Sequence, residues 1–564
     1  MPKRESSFHV GIDLGTTNTV MATCKPSKRA FFRPTVRDIN QYQLAKQMGM
    51  LPNLPSVLFW DNDGKVKVGE YAKHKKEDGA SARILYNTKI DMGQKVTYAN
   101  GYTPVNAAAE ILKVCFDSIK TYISADEEFP NVTITVPASF TQSQISDTIE
   151  AAKLAGFAED KISILEEPVA ALFCYINGQL MSGDEEIIDF SSKKRVMVYD
   201  IGGGTCDVCV VDIEIGDDDT YSIEFIATNR YTEFGGNDFD EAAAVGLLNK
   251  LFKKYKVMEA DVCSTEIKND LISRILPFCE QYKLWYAQQL KVNTREHIEN
   301  AHYGNLDDFF GNNQVELELS FEEYLDFTKI FFEDNYTHPT RNLKDKMRNK
   351  NVIKPVYQIL QRLKDSGESG IDCIFLTGGM SEYLPIEEAL KKFCNVPVIK
   401  TDEPMKAVAQ GAAMSAFIKT NNVNKNNSVD LPGNLQDEVN DIERDLDIGY
   451  NRPKLAESIF IDIENMLPFK IIDSDISIPC KGTVDHAFKV SSSGVCFNLF
   501  AGASEYDPEM RILYNYARKF DYLVKPNTTA FIRYEINENR YLRLFLDLRD
   551  ERRQTYELTV DTTY

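Results

Sequence analysis

The sequence predicts a two-lobed α/β protein with a duplicated core, followed by a small β-sandwich. Three observations carry that expectation. Up to about residue 420, short apolar runs alternate with helix-like stretches, the order that layers helices on buried sheets. Within this region one strand–turn–strand design, an Asp followed by a Gly/Thr turn, occurs twice, at Asp13 and at Asp200. Beyond a polar stretch the helical periodicity vanishes and short alternating segments take over.

A chain of 564 residues is too long for one ordinary core, so at least two domains are expected. Strand candidates in the first region are Val10 to Leu14, Val132 to Val136, Val196 to Asp200 and Ile371 to Leu376. Helix-like stretches run from Ser143 to Ala155 and from Pro385 to Phe393. Residues 1–420 are therefore read as one α/β unit. Residues 421–452, which open on Asn421-Asn422-Val423-Asn424 and stay rich in Asn and Asp, read as a polar linker. Residues 453–564 read as the sandwich, with strands at Ala487 to Val490, Val495 to Phe500 and Tyr541 to Leu546.

The formal net charge of -21 repels phosphate-rich partners, so neither nucleic acid nor a membrane is an expected partner. Met1 to Phe8 is polar, and no apolar run approaches the roughly 18 residues that a membrane span needs. Eleven cysteines, an odd number without a framework, fit a reduced cytoplasmic setting. Cys206 and Cys209 form a C-x-x-C, but they fall in a strand-like run, where residues three apart face opposite sides. They are read as structural rather than metal-binding.

The repeat carries the chemistry. Glycines at a tight strand turn let backbone N–H groups approach phosphate oxygens with no Cβ in the way, and threonine hydroxyls add donors. An Asp just before such a turn would repel a phosphate unless a hydrated Mg²⁺ lies between them. Two such loops, Asp13 to Thr17 and Asp200 to Thr205, are expected to clamp a β,γ-phosphate pair and its metal from opposite sides.

These residues also carry a family resemblance. Gly11-Ile12-Asp13-Leu14-Gly15-Thr16-Thr17-Asn18 and Asp200-Ile201-Gly202-Gly203-Gly204-Thr205-Cys206-Asp207 resemble the two phosphate loops of the DnaK-type heat-shock chaperones. Val136-Pro137-Ala138-Ser139-Phe140, Glu167-Pro168-Val169-Ala170-Ala171, Phe234-Gly235-Gly236-Asn237-Asp238-Phe239-Asp240, Leu376-Thr377-Gly378-Gly379 and Ala407 to Ala413 follow in the family's order. The resemblance implies an actin-like ATPase fold with a duplicated ribonuclease-H-like core, ATP/ADP and Mg²⁺ as ligands with room for K⁺, and slow hydrolysis. Asp13 and Asp200 would organise the metal through water. Gly15, Thr16, Thr17, Asn18, Gly202, Gly203, Gly204, Thr205, Gly235 and Gly236 would hold phosphates. Lys89 stands where the family keeps its catalytic lysine, and with Glu167, Asp200 and Asp207 it completes the implied catalytic set. At the nucleoside end Glu280 and Lys283 would reach the ribose, Gly378 and Gly379 would approach the adenosine, and Tyr383 is the candidate stacking face. The family's two adenine-flanking arginines are not visible, since Leu284 and Met380 to Tyr383 occupy those regions.

The resemblance further implies that the sandwich holds an extended peptide, with Phe488, Val495 and Phe497 as groove candidates. Against the family pattern, the leucine-rich linker is expected to be replaced, the helical lid is expected to be absent, since no helical pattern follows the sandwich segments, and the J-domain contacts near Ser163 and Glu166 are expected to be missing. The expected function is a chaperone-like ATPase acting on polypeptide clients, served by divergent co-chaperones. The alternative is a nucleotide-regulated adaptor for one dedicated partner, and a sugar-kinase or filament-forming relative ranks third.

Overall fold

The computed structural model describes residues 3–418 and 447–563, with short stretches left out. In the first part these are 28–30, 43–47, 78–82, 99, 183–187, 189, 191, 216–219, 230–232, 258–264, 293–300, 310–311, 334–349 and 369. In the second they are 451–454, 456, 463–467, 475, 477–479, 492, 503, 506–509 and 537–540. Of the linker expected at 421–452, only 447–450 falls within the described residues.

The first sheet contains β1 (His9–Leu14), β2 (Asn18–Cys24), β3 (Thr35–Arg37), β4 (Val132–Val136) and β5 (Ile162–Glu166), in the spatial order β5-β4-β1-β2-β3. β1 and β2 form an antiparallel hairpin, whereas β4 runs parallel to β1 and β5 parallel to β4. The second sheet contains β6 (Lys194–Ile201), β7 (Cys206–Ile215), β8 (Thr220–Thr228), β9 (Cys373–Thr377), β10 (Val398–Ile399) and β11 (Asp447–Tyr450), in the order β10-β9-β6-β7-β8-β11. Here too the first two strands are an antiparallel hairpin, with β9 parallel to β6 and β10 parallel to β9. The repeat seen in sequence is thus a repeat of topology. The central parallel strands β4 and β9 are buried at every residue, which is why they read as unbroken apolar runs rather than as alternation. β11 adds a parallel edge to β8, so the tail of the expected linker is part of this sheet.

Six helices position the site: α1 (Glu70–Glu77), α2 (Gln142–Ala155), α3 (Glu167–Ser182), α4 (Gly236–Tyr255), α5 (Thr265–Val292) and α6 (Pro404–Met414). α2 starts where Thr141 caps it: its Oγ1 accepts the Gln144 N–H at 3.4 Å, and the Gln144 side chain accepts the Thr141 N–H at 2.9 Å. It stops at Gly156, whose φ of 112° is the left-handed cap that glycine tolerates. α6 lies against β1 and α3 at contacts too close for a side chain. A Cβ at Gly11 would sit 2.3 Å from Ala413 N, and one at Gly411 only 1.8 Å from the Ala170 carbonyl oxygen. This packing joins the lobes at their base, where Val20 and Ala22 of β2 share one core with Val198 of β6 and Val211 of β7. Cys206 and Cys209 face opposite sides of β7, Cys206 in the core of the second lobe and Cys209 in this shared one, as expected for a strand.

After β11 come β12 (Ser458–Ile461), β13 (Phe469–Ile472), β14 (Cys480–Val490), β15 (Gly494–Gly502), β16 (Arg511–Lys519), β17 (Thr528–Ile536), β18 (Tyr541–Leu548) and β19 (Thr555–Thr563). They form two four-stranded antiparallel sheets, β13-β12-β15-β16 and β14-β17-β18-β19. One core unites them, with Ile459 and Leu499 from the first sheet against Ala530, Leu544 and Leu558 from the second. Phe488 and Phe497, expected at a peptide groove, are part of that core, and Val495 packs against it half-buried. For the two phenylalanines the alternation marks the inside of the β unit, because each ring is needed to fill the space between the sheets.

Candidate functional site

The two hairpin turns meet at the cleft between the lobes. Thr16 Oγ1 and Thr205 Oγ1 are 3.5 Å apart, so the turns face one another. Each turn demands glycine. A Cβ at Gly15 would sit 2.1 Å from the Asn18 carbonyl oxygen, and one at Gly203 would sit 2.1 Å from Thr17 Oγ1. The Gly202 N–H closes the second turn onto the Thr205 carbonyl at 2.9 Å. The Gly235–Gly236 turn packs behind it, with the Gly236 N–H on the Gly202 carbonyl at 3.1 Å and the Asn237 N–H on the Gly203 carbonyl at 2.6 Å. Gly378 (φ +83°) reaches equally close, since a Cβ there would lie 2.3 Å from Asp200 Oδ1.

Asp13 and Asp200 stand near the ends of β1 and β6, and hairpin register sets Asp207 directly opposite Asp200. Glu167, the first residue of α3, and Lys89, on a short turn spanning Thr88–Asp91, complete the cluster. Both are buried, and Lys89 Nζ donates to Glu167 Oε1 at 2.7 Å. Asp207 is held from the Val-Pro segment, accepting the Ala138 N–H and the Ser139 hydroxyl, each at 2.8 Å. Asp13, Glu167, Asp200 and Asp207 therefore crowd one end of a cleft in which Lys89 is the cation that lines it among the described residues. The carboxyl groups respond accordingly. Burial, then the charge of Glu167, push Asp13 up to about 7 against the pull of Lys89. Asp200 is driven well above the usual range by burial and by Glu167, Asp13 and Asp207. Asp207 rises to about 6, burial outweighing the hydroxyl of Ser139.

The cleft brings together Asp13, Gly15, Thr16, Thr17, Asn18, Lys89, Glu167, Asp200, Gly202, Gly203, Thr205, Asp207, Gly378 and Gly379 from the expected set. Gly204 packs beside Thr16, and Gly235 behind the second turn. The nucleoside end departs from expectation. Lys283 is buried and committed within its lobe, its Nζ 2.6 Å from Asp240 Oδ2 and 2.9 Å from the Gly236 carbonyl. Glu280 instead accepts from Lys73 of α1 in the other lobe, at 2.7 Å. Tyr383 offers no stacking face to the cleft. It is 1% exposed, with its ring against Phe239, Tyr286 and Tyr324, because the aromatic core of the second lobe claims it. Sequence reasoning missed Ser139, which lay unread inside a quoted motif, and Met405, which lines the cleft near Gly379.

A profile of the Hsp70 protein family matches residues 68–431, more than half of the chain. The chain belongs to the Hsp70 family. Among curated proteins, this Hsp70-family chain is 31% identical over 420 residues to the "Chaperone protein DnaK" of Thermosipho melanesiensis. It is 30% identical over the same length to those of Thermosipho africanus and Thermotoga petrophila. The matched region covers 73% of this chain but only 59–60% of those relatives. The two-lobed fold with its duplicated hairpins is the actin-like ATPase architecture that membership of the Hsp70 family implies.

Proposed function

We propose that this chain binds ATP with Mg²⁺, hydrolyses it slowly to ADP and phosphate, and uses the exchange to control polypeptide binding by its C-terminal β unit. The observation that carries this reading is the Lys89–Glu167 pair set against Asp13, Asp200 and Asp207 between two glycine/threonine turns. The donor set fits a hydrated divalent cation. Carboxyl groups whose pKa values are raised by burial, and then by one another's charge, crowd together there, and Thr17 Oγ1 is buried with no hydrogen-bond partner among the described residues. Asp13 and Asp200 would hold that ion through water, and it would neutralise phosphate charge. The N–H groups and hydroxyls of both turns bind and orient the phosphates. Lys89 supplies fixed positive charge beside the negative charge on the oxygens of the transferred γ-phosphoryl group. Water oxygen bonds to the γ-phosphorus, the bond to the bridging oxygen breaks, and Asp207 or Glu167 accepts the water proton.

The unit boundaries that go with this reading are 1–420 for the ATPase, 421–452 for the linker and 453–564 for a β-sandwich that binds client or partner. No described helix is long and apolar enough to cross a membrane, and the cysteines of the described residues are free, which supports a cytoplasmic setting. The test is Mg²⁺-dependent ATPase activity in the purified chain with Lys89→Ala beside it. Hydrolysis should fall by at least about a hundredfold while ATP binding survives. Undiminished turnover in that variant would sink the assignment. Stimulation by unrelated unfolded peptides supports the chaperone reading, and a response to one partner alone supports the dedicated adaptor.

A further inference from the structure

The turn that carries Lys89 is also held from outside the cleft. It is entered through Asn87, whose φ of 56° is left-handed, and it leaves through Met92. Immediately beyond, the Gly93 N–H donates to Asp147 Oδ2 at 2.8 Å, and Ser143 Oγ donates to the Gly93 carbonyl at 3.5 Å. Both partners belong to α2. Gly93 has φ +79°, and a Cβ there would come 2.8 Å from Gln144 Cγ, so its backbone is pressed onto the first turns of the helix. The same helix is entered through the segment that fixes Asp207, and the ring of Phe140 lies 5.7 Å from Lys89 Nζ. Asp147 is half-buried, with no ion-pair partner among the described residues. A carboxylate in that position carries a desolvation cost that a single good hydrogen bond only partly offsets. Its bond to a backbone amide four residues past Lys89 points to a geometric task.

We propose that Asp147 is a positioning residue for Lys89. It fixes the Gly93 amide on α2, so that the lysine turn and the Asp207 support move as one body, while Glu167 fixes the ammonium end. The inference rests on the ATP-hydrolysis reading and adds a residue to it. In the full-length protein, Asp147→Ala is expected to lower the single-turnover hydrolysis rate by about 10- to 100-fold, as a misplacement of about 1 Å does elsewhere. ATP affinity should change by less than about threefold, because neither phosphate turn touches Asp147. Amide hydrogen exchange around Gly93 should accelerate in the same variant. Asp147→Asn keeps an acceptor oxygen and should restore both rate and protection. Gly93→Ala forces the same contact apart from the other side and should reproduce the loss, which keeps the test available if Asp147→Ala folds poorly. Undiminished hydrolysis in Asp147→Ala or in Gly93→Ala overturns the proposal, as does an Asn variant as slow as the Ala variant. If the wild-type chain shows no turnover, the hydrolysis reading fails on its own account. Exchange at Gly93 then decides, and unchanged protection in Asp147→Ala overturns the positioning role.

Discussion

His9 sits in β1 on the same strand as Asp13, and its ring is enclosed where β1, β4 and the end of α6 converge. Nε2 lies 2.8 Å from Thr133 Oγ1, the ring is edge-on to Phe417, and Nδ1 has no partner among the described residues. Among the described residues no carboxylate stands beside it to favour the imidazolium, and burial lowers its pKa from 6.5 to about 3. The sign follows. Between those values the unfolded chain binds a proton that the folded chain refuses, so the stability that neutral His9 contributes is fully present above pH 6.5 and drains away as pH falls towards about 3. The slope is about 1.4 kcal/mol per pH unit for one proton. Chemical denaturation of wild type and His9→Gln between pH 7 and pH 5 checks this. The variant should lose most of that slope, and equal slopes would show that the histidine charges without cost.

At the scale of elements, the seam between α6 and α3 decides whether the cleft has a rigid floor. Gly411 is the tightest point, since its absent Cβ would meet the Ala170 backbone at 1.8 Å, and backbone on both sides leaves nothing flexible to yield. Gly411→Ala is therefore expected to destabilise by about 1–3 kcal/mol through overpacking, despite alanine's better helix propensity. Gly178 of α3 is the control: nothing lies within 4 Å of its would-be Cβ, so Gly178→Ala should gain up to about 1 kcal/mol. Thermal melts that fall in the first variant and rise in the second support the seam, and two parallel shifts would refute it. These glycines also show what the sequence made legible. A glycine at a strand turn has few physical explanations, and both hairpins follow from that, whereas the close approach of Gly411 to α3 came from the structure. Asp200 was readable from the repeated turn and Asp207 only through the family resemblance, and the hairpin register that sets them opposite each other came from the structure. Tyr383 was not readable, since whether an aromatic ring faces a ligand or a core depends on Phe239, Tyr286 and Tyr324, which arrive from three distant segments. Lys283, expected with Glu280 at the ribose, is held by Asp240 of α4, a partner from a separate segment that helical spacing could not reveal.

Across the whole molecule the two lobes are joined unequally. At the base they share an apolar core, whereas farther up they meet through polar pairs: Lys73 Nζ with Glu280 Oε1 at 2.7 Å, and the Asn237 side chain with Asn87 Oδ1 at 3.4 Å. Joined in this way, the lobes are expected to part at the top, which is where a bound nucleotide would leave. The Lys73 and Glu280 side chains are 28% and 31% exposed, so water and salt screen their attraction. A pair of this kind contributes at most about 1 kcal/mol, which limits its effect on the opening rate to about fivefold. Lys73→Ala should therefore speed nucleotide release by about two- to fivefold without altering the single-turnover hydrolysis rate, because Lys73 lies outside the cluster around Lys89. Stopped-flow release of a fluorescent nucleotide at two ionic strengths separates the causes. Wild-type release should accelerate as salt rises, and the variant should respond less. A variant that releases at the wild-type rate in low salt would place the closing contact elsewhere, with Asn87→Ala the next one to remove. Should that also leave release unchanged, the shared core at the base, rather than the upper contacts, would set the opening rate.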